Sequence, residues 1–594
     1  MSTGNVTIRD IGIPVRGVNW IRLLVARSAD GAECLLATMG QQGDNLFVLE
    51  IDPSTGKCRQ FISKVPGSNY PTAACLSRTG KLYIGSAYAG NLLCYDPAKG
   101  ALDDLGQING DKAVFPCLID EDAEGRIWIG SNPGADLTCY DPATGQFTRY
   151  GAMDDVDQYC YSRVIDDQTI ACMICMTRRH VVLFDPKTAR KKPVGPTVPA
   201  EEGNLTLEKR SDGRFYIIST AGNYRIEGWS AVEVKELPAP VGPQTLSDGS
   251  TFDFADPEFF RAIEIRRPGG AVRRLELDFK YGGTNIFYLH PGPDGCVYGS
   301  SVMPLHLFRY DPATSELVDL GICSGGEAYS MANLGGLIYI SAYPRAMLSV
   351  YDPSKPYHFG DRPDDNPRDL GRMDNVSCRP RSTLAGPLGR IWTAGLPDYG
   401  MWGGPLSCYD PKSGQKQMFR HFGDRSSYTL AHLPKLGLIA VGTTIHGGSG
   451  AGPKAKQAVL VLWDYHACKP VWEGTPDRLV DQFNALITGP DGRLYGTITG
   501  PKAPAEFFAF DPVSRAFEGS VRLPSGSPLD VSLQIGPDGR IYGFTQSCIY
   551  RVDPATLGLE ILLETDKEFH YGGPIVGKDI YFATGVRLRT ARIF

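Results

Sequence analysis

The amino-acid sequence predicts an all-β protein: two β-propellers of six or seven four-stranded blades each, with the N-terminal strand closing the C-terminal blade. Three observations carry that reading. An Asp-Pro turn recurs almost letter for letter, as LLCYDPAKG from Leu92, LTCYDPATG from Leu137 and LSCYDPKSG from Leu406. Asp-Pro pairs stand at Asp52, Asp96, Asp141, Asp185, Asp311, Asp352, Asp410, Asp511 and Asp553, with a degenerate copy, WDYHACKP, at Asp464. The first four are 44, 45 and 44 residues apart, and the gap from Asp185 to Asp311 is 126, three times 42, so two worn copies belong between them. A period of about 40–50 residues made of short strands is a propeller signature. Finally, 69 glycines and 44 prolines among 594 residues favour many turns and short strands over long helices.

Each module reads as four strands. An apolar run such as TAACLS is the inner strand. A tight Gly hairpin leads into the second strand, as in EGRIWIGS at Glu124, DGCVYGSS at Asp294, DGRLYGT at Asp491 and DGRIYGF at Asp538. A variable loop precedes the third strand, LLCYD, and the Asp-Pro turn leads to the fourth, ALDDLG. Inner strands are predicted near Leu23, Ala73, Phe115, Tyr161, Leu205, Thr251, Ile286, Tyr329, Ser382, Tyr428, Phe483, Val531 and Pro574. A single ring of that size exceeds the usual four to eight blades. The chain is therefore divided into a first propeller at 1–324 and a second at 325–594, the second carrying the candidate active-site face. The last block, GGPIVGKDIYFATGVRLRTARIF, supplies only three strands, and VTIRDIGIP near the N-terminus resembles a fourth. Residues 5–14 are expected to complete the final blade and hide its edge. Whether the other propeller is inserted within the one that the two ends share stays open at this level.

The repeated aspartate is read as turn chemistry. In D-P-x-[ST]-G the carboxylate accepts backbone N–H groups two residues on, proline presets φ, and glycine takes the left-handed position. The tyrosines before it, Tyr95, Tyr140, Tyr310, Tyr351 and Tyr409, are expected to pack between blades.

Composition narrows the function classes. A net charge of −6 over this length offers no basic field for nucleic acid. No window approaches the ~20 apolar residues of a membrane helix, and the opening MSTGNVTIRDIG lacks the apolar stretch of a secretory signal. The 15 cysteines form no framework: Cys94, Cys139 and Cys408 sit inside strand runs as small apolar groups, and Cys172 with Cys175 make a lone CxxC. A reducing, cytoplasmic setting fits best. No GxSxG, Walker, HExxH or CxxCH string occurs, so serine-hydrolase, P-loop, zinc-peptidase and c-type haem readings lack support.

In a propeller, the connections between fourth and first strands, and between second and third, gather around the central channel on the usual ligand face. His290 and His432 fall on hairpins at the opposite end, where packing is the expectation; His180, His306 and His446 fall in connections between second and third strands and His570 in one between fourth and first, so these four can face a ligand, with packing the alternative for His306 beside its third strand. The ligand face takes GGEAYSM, SAYPRAM, SCRPRST, GLPDYGMWGG, GTTIHGGSGAG and FHYGG from the second half. Tyr329, Tyr343, Arg345, Arg379, Arg381, His446, His570 and Tyr571 are the catalytic candidates. Glu327, Asp398, Tyr399, Trp402, Arg178 and His180 are the substrate-binding candidates, Trp402 and the tyrosines for stacking on sugar faces. Arginines with Tyr and His suit an anionic or sugar-acid ligand. Removing the proton beside a carboxylate adds charge next to existing charge, and a bidentate arginine offsets it. A Tyr or His then takes the proton while another protonates the leaving oxygen. No cofactor is fixed; a divalent cation, Ca or Mg, is compatible. A glycoside hydrolase needs two carboxylates about 5–9.5 Å apart, for which Glu327 and Asp398 are the candidates.

The blade pattern, with DGRLYGT in the second strand and YDPATG after the third, resembles streptogramin lyase-like and gluconolactonase/regucalcin-like propellers. It is also similar to the propeller polysaccharide lyases, which use His, Tyr and Arg on one face. The resemblance spans nearly the whole chain and implies the fold. Its doubled length departs from the single-propeller lyases, and no catalytic motif is carried across. The leading expectation is a lyase acting by β-elimination on a uronate-containing glycan. The alternatives are a glycoside hydrolase or other small-molecule enzyme on the same face, and a non-catalytic tandem-propeller scaffold. The expected partner is a small-molecule or glycan substrate, with neither nucleic acid nor membrane; the oligomeric state is not readable.

Overall fold

The computed structural model describes residues 6–110, 114–256, 258–501, 503–566 and 568–594. Among them the structure is all β, apart from two three-residue 3-10 turns at Pro387–Gly389 and Pro434–Leu436. The strands form twelve antiparallel hydrogen-bonded sheets, of which the eight-stranded one is two four-stranded sheets joined at the single pair Thr444–Gln482. The chain thus builds thirteen propeller-like modules, twelve of them plus one. All have four strands except that of Thr251–Phe254, Ala262–Arg266 and Val272–Glu276, which has three. The two worn copies between Asp185 and Asp311 are the sheets beginning at Leu205 and Thr251.

A representative module runs Ser68–Leu76, Leu82–Tyr88, Asn91–Asp96, Ala101–Gln107, paired in that order. Its second and third strands are buried on both faces, because each sheet is sandwiched between two others; this is why they read as continuous apolar runs. Side chains such as Leu36 and Val48 interleave with Leu82, Ile84, Leu93 and Tyr95 of the next sheet. The fourth strands are more exposed. The turn aspartates behave as predicted. Asp52, Asp96, Asp141 and Asp410 accept the N–H of Ser54, Ala98, Ala143 and Lys412 at 2.7, 3.0, 2.9 and 2.9 Å. A second device recurs in the hairpins: Asp294, Asp491 and Asp538 accept the phenol protons of Tyr298, Tyr495 and Tyr542 at 2.8, 2.7 and 2.9 Å.

The chain divides into two units, residues 17–282, and residues up to 16 together with 283–594. The contiguous unit holds six modules and the split unit seven. The division therefore falls at 282/283, not at 324/325. The sheet beginning at Ile286 belongs with the C-terminal half because Ile286, Tyr288 and Leu289 share a core with Ile338, Ile340, Tyr571 and Ala583. The strand Ile8–Gly12 pairs antiparallel with Arg587–Arg592 as the outer strand of the last sheet, the expected closure; position 5 of the predicted strand lies outside the described residues. Arg16 and Gly283 form an antiparallel bridge, and Thr284 donates its N–H to the Val15 carbonyl at 3.1 Å. The chain leaves and re-enters the split unit at neighbouring points, so residues 17–282 are an insertion.

In the split unit the inner strands pack in order: Ile286–Pro291 on Glu327–Leu334, then on Ser377–Ala385, Ser426–Leu433 and Gln482–Thr488. Tyr571–Val576 packs against Gln534–Ile535 on one side and Ile286–Pro291 on the other. In the contiguous unit Asn19–Arg27 packs on Ser68–Leu76, which packs on Phe115–Glu121, which packs on Tyr159–Asp166. A shared core of Leu35, Ala37, Phe47 and Leu49 with Ile263, Ile265 and Leu275 joins its first and last sheets.

Candidate functional site

The inner strands of the split unit begin with a one-residue slip in register. Ala328 faces Ala342 and Ser330 faces Ser341, which leaves Tyr329 as the extra residue. The same slip leaves Tyr428 between Ser427 and Thr429, and Asn484 between Phe483 and Ala485. In Ser377–Ala385 it falls between Arg379 and Ser382, around Pro380 and Arg381. A bulge bends its strand and re-aims one side chain, and here it does so at the same place on successive sheets. Gly395 on the neighbouring strand makes room: a Cβ there would sit 2.2 Å from the Arg379 carbonyl oxygen and 2.8 Å from the Pro380 Cα.

The residues so presented form one cluster. The Arg379 guanidinium lies 4.8 Å from the Tyr343 ring centre and 4.9 Å from that of Tyr399, and donates to the Tyr399 hydroxyl at 3.0 Å. The Tyr343 and Tyr399 hydroxyls are 2.5 Å apart. Arg381 sits 4.9 Å from the Tyr329 ring and 5.9 Å from that of Tyr428. Tyr329 packs against Phe287 and Tyr343 at 4.3 and 5.6 Å between centroids. Tyr428 donates its phenol proton to Asp530 at 2.5 Å, and Asp530 also accepts from Gln482 at 3.1 Å and Asn484 at 3.0 Å. Tyr571 lies 4.7 Å from Tyr288. Glu327 stands directly opposite Tyr343 and is only 7% exposed.

Three buried polar atoms among these residues have no hydrogen-bond partner: Oε1 of Glu327, Nε of Arg381 and the hydroxyl of Tyr571. Burial pushes the Glu327 carboxyl up to about 7, against the pull of Arg381 and Arg379. Burial works against the charges of both arginines, but the surrounding phenols, Tyr399 and Tyr329 at Arg379 and Tyr428 and Tyr329 at Arg381, more than offset it. The Tyr343 phenol is raised by burial and then by its hydrogen bond to Tyr399, so it keeps its proton. Tyr571 is likewise raised by burial and by Tyr288.

Seven of the sequence candidates therefore meet: Glu327, Tyr329, Tyr343, Arg379, Arg381 and Tyr399 directly, and Tyr571 through the inner strand beside them. Others have different surroundings. Arg345 is exposed in a left-handed turn at φ 69°. His446 is exposed and takes part through its backbone, accepting from Ser426 at 2.7 Å. His570 is exposed, with Nδ1 accepting the Gly585 N–H at 2.9 Å. Asp398 accepts the Tyr399 N–H at 2.8 Å, in its own turn. Trp402 donates to the Gly452 carbonyl at 2.7 Å and carries Lys454 3.4 Å from its ring centre. Asp530, Gln482, Asn484 and Tyr428 were not read as site residues from the sequence. For Tyr428 and Asn484 the available signal was positional: QFNALI, SSYTLA and EAYSMA each start an inner strand, and the residue after the first pair is the one that is re-aimed.

Arg178 and His180 lie in the contiguous unit with Asp154 and Asp157. The carboxylates and His180 come close enough to hold a metal ion. Arg178 already sits there, 3.0 Å from Asp154 and 3.1 Å from Asp157, and pairs with both. Burial lowers the His180 pKa, which keeps the ring neutral. The donor set is thus an arginine-closed ion pair, and a divalent cation does not fit it without displacing Arg178.

No known family and no curated protein matches this sequence. Among solved structures, the extracellular domain assigned to a one component system of B. thetaiotaomicron aligns with a TM-score of 0.37 at 12% identity, covering 98% of this chain and 82% of that chain. A structure of such a domain from a hybrid two component system of the same organism gives 0.37 and 12%, with 99% and 83% covered. A likeness at that level carries no argument about this chain.

Proposed function

We propose that the protein is a pair of propellers, a seven-bladed ring split by an inserted six-bladed one, and that the inner-strand cluster of the seven-bladed ring is the active site of a lyase on a uronate-containing glycan. The order of inner-strand packing in the split unit supports the ring. The observation that carries the activity is the partnerless pair of buried atoms, Glu327 Oε1 and Arg381 Nε, beside a second arginine held among phenols. Buried polar groups are satisfied by a partner in nearly every native structure, so these two call for a ligand or ordered water that offers both a donor and an acceptor.

In this reading Arg379 and Arg381 hold the uronate carboxylate and offset the charge that builds beside it. Glu327, with a pKa near the operating pH, removes the adjacent proton. The electron pair left behind forms the ring double bond as the glycosidic C–O bond breaks. The Tyr343–Tyr399 phenol pair delivers a proton to the leaving oxygen. The base is thus a carboxylate, and the raised phenols are donors. A hydrolase would pair Glu327 with Asp530, whose carboxylate faces Arg381. All 15 cysteines are free thiols, which is compatible with a reducing, cytoplasmic setting.

The test is ultraviolet absorbance of an unsaturated uronate end on a panel of acidic glycans. The lyase produces that absorbance, and Arg379→Ala and Arg381→Ala each abolish most of the turnover while the fold remains. Reducing ends released without the absorbance would establish the hydrolase, and silence on all substrates would favour a binding scaffold.

A further inference from the structure

The split unit carries a local charge bias that the inner-strand cluster does not use. Between residues 399 and 457 the sequence has seven Lys and Arg against two Asp and no Glu, in a chain whose net charge is −6. Of those cations, Arg420, Arg425, Lys454 and Lys456 lie in connections at the end of the strands where the cluster forms. Arg420 and Arg425 stand between the outer strand Lys416–Phe419 and the inner strand Ser426–Leu433, and Lys454 and Lys456 between Leu438–Thr444 and Leu460–Asp464. A third connection, between Ile391–Pro397 and Leu406–Tyr409, holds Tyr399 and Trp402. The three are knit into one rim. Gly400 donates its N–H to the Ser449 carbonyl, and Gly448 to that of Met401, both at 2.9 Å. Arg425 donates to the Gln457 carbonyl at 2.7 Å and Arg420 to that of Trp402 at 2.9 Å. Glycine is needed where the loops cross: a Cβ on Gly448 would sit 1.9 Å from the Asp398 carbonyl oxygen, and one on Gly447 2.5 Å from that of Met401.

The charges on this rim choose the ligand class. Arg420, Lys454 and Lys456 are exposed, and among the described residues none of them takes part in an ion pair. Lys454 is nonetheless held in place: its ammonium lies 3.4 Å from the ring centre of Trp402, whose indole N–H is fixed on the Gly452 carbonyl at 2.7 Å. Cations gathered without counter-charge attract and concentrate an anion. Tyr399 joins the rim to the cluster, because it shares a loop with Trp402 while its hydroxyl accepts from Arg379 at 3.0 Å. A chain that places one carboxylate at Arg379 and Arg381 and runs along this loop reaches Trp402 and Lys454 next, where further negative charge is favoured. A single indole already covered by Lys454 is not the series of stacking faces that single-stranded nucleic acid requires.

We propose that this rim is a charge-reading subsite for the uronates that flank the reacting one, so that the protein selects acidic oligomers over short acidic sugars. The position of the reacting sugar rests on the lyase reading; the preference for length is measured as binding and needs no turnover. The experiment titrates the full-length Glu327→Gln protein, which lacks the proposed base, with galacturonate, glucuronate and mannuronate oligomers of two and six residues, by calorimetry. In at least one series the hexamer is expected to bind tenfold or more tighter than the dimer. The Arg420→Ala/Lys454→Ala double variant should lose most of that gain, Lys454→Arg should retain it, and high salt should erase it, since exposed charges are screened. Arg379→Ala should weaken dimer and hexamer alike. The proposal is overturned if no series shows a gain with length, if the double variant keeps the gain, if neutral hexasaccharides show the same gain, or if the rim captures only single-stranded oligonucleotides. A rim that fails beside wild-type turnover abolished by Arg379→Ala leaves the lyase reading standing. A length gain controlled by Arg420 and Lys454 without turnover on any substrate leaves the rim standing and overturns the lyase.

Discussion

At the residue scale, two carboxylates show how position decides role. Asp410 is held by the backbone N–H of Lys412, which lowers its pKa first of all causes. It is one of ten equivalent turn aspartates, counting Asp464. Asp410→Ala should lower the melting temperature slightly and leave any turnover intact, as kinetics beside a thermal scan would show. Glu327 is the opposite case. Its carboxyl has an ordinary value of 4.5 and is raised to about 7 by burial. Between these values the folded protein holds a proton that the unfolded chain releases, so stability is highest below the lower value, falls as pH rises through the window, and is flat above it. The shift corresponds to about 3 kcal/mol of destabilisation at pH 8. Glu327→Gln should therefore be more stable than the wild type at pH 8, by up to that amount, and equal to it near pH 4.5. Urea midpoints at the two pH values check this; equal midpoints at pH 8 would mean the carboxyl is not raised. A group that weakens the fold at neutral pH yet occupies the inner-strand cluster is what a functional site looks like thermodynamically. If it is the base, kcat/KM rises with pH through the same window.

At the scale of elements, the strands and turns were legible because their signals are local: D-P-x-[ST]-G, the Gly hairpins and the β-branched runs each specify a few residues. Hence the inner strands of all thirteen modules lie at or beside the predicted positions, with Val531 falling just before the short strand Gln534–Ile535. The site was only half legible. Tyr329, Arg379 and Arg381 were visible as members of irregular segments on the expected ligand face, but the bulges that bring them together arise from pairing with a neighbouring strand, and the slip itself is set by that pairing. Asp530 was missed because it lies in the connection before Gln534–Ile535 and meets Tyr428, Gln482 and Asn484 only through tertiary packing. The closing strand was readable from a deficit, a last module one strand short. Its removal has a definite consequence. Without residues 1–12 the edge Arg587–Arg592 loses its ladder and the Asp10–Arg587 ion pair at 2.5 Å, leaving unpaired donors and acceptors that template association. Size-exclusion chromatography with light scattering should show concentration-dependent oligomers. A monomer that melts like the full chain would mean the strand is dispensable.

At the scale of the whole molecule, the insertion explains why the boundary could not be read from the repeat. A period carries no record of which unit a module joins, and modules of both units share the same Asp-Pro turns and Gly hairpins. The assignment rests on which inner strand packs on which, and there the sheet beginning at Ile286 meets Tyr571–Val576 almost three hundred positions later. The contiguous unit is attached at Arg16/Gly17 and Gly282/Gly283, and Arg16 already bridges to Gly283. Chain ends that close are the condition under which a domain can be inserted or removed without strain, and a short loop between them adds little closure entropy. Replacing residues 17–282 with a few glycines should give a folded seven-module protein that keeps its cooperative melting and, on the proposed assignment, its activity on acidic glycans. The excised unit, expressed alone, should fold around its own cores. Scanning calorimetry of the two pieces and of the parent is the decisive comparison. If the shortened protein fails to fold while the excised unit folds well, the seven modules depend on the insertion, and the packing order of inner strands is not by itself sufficient to stabilise them.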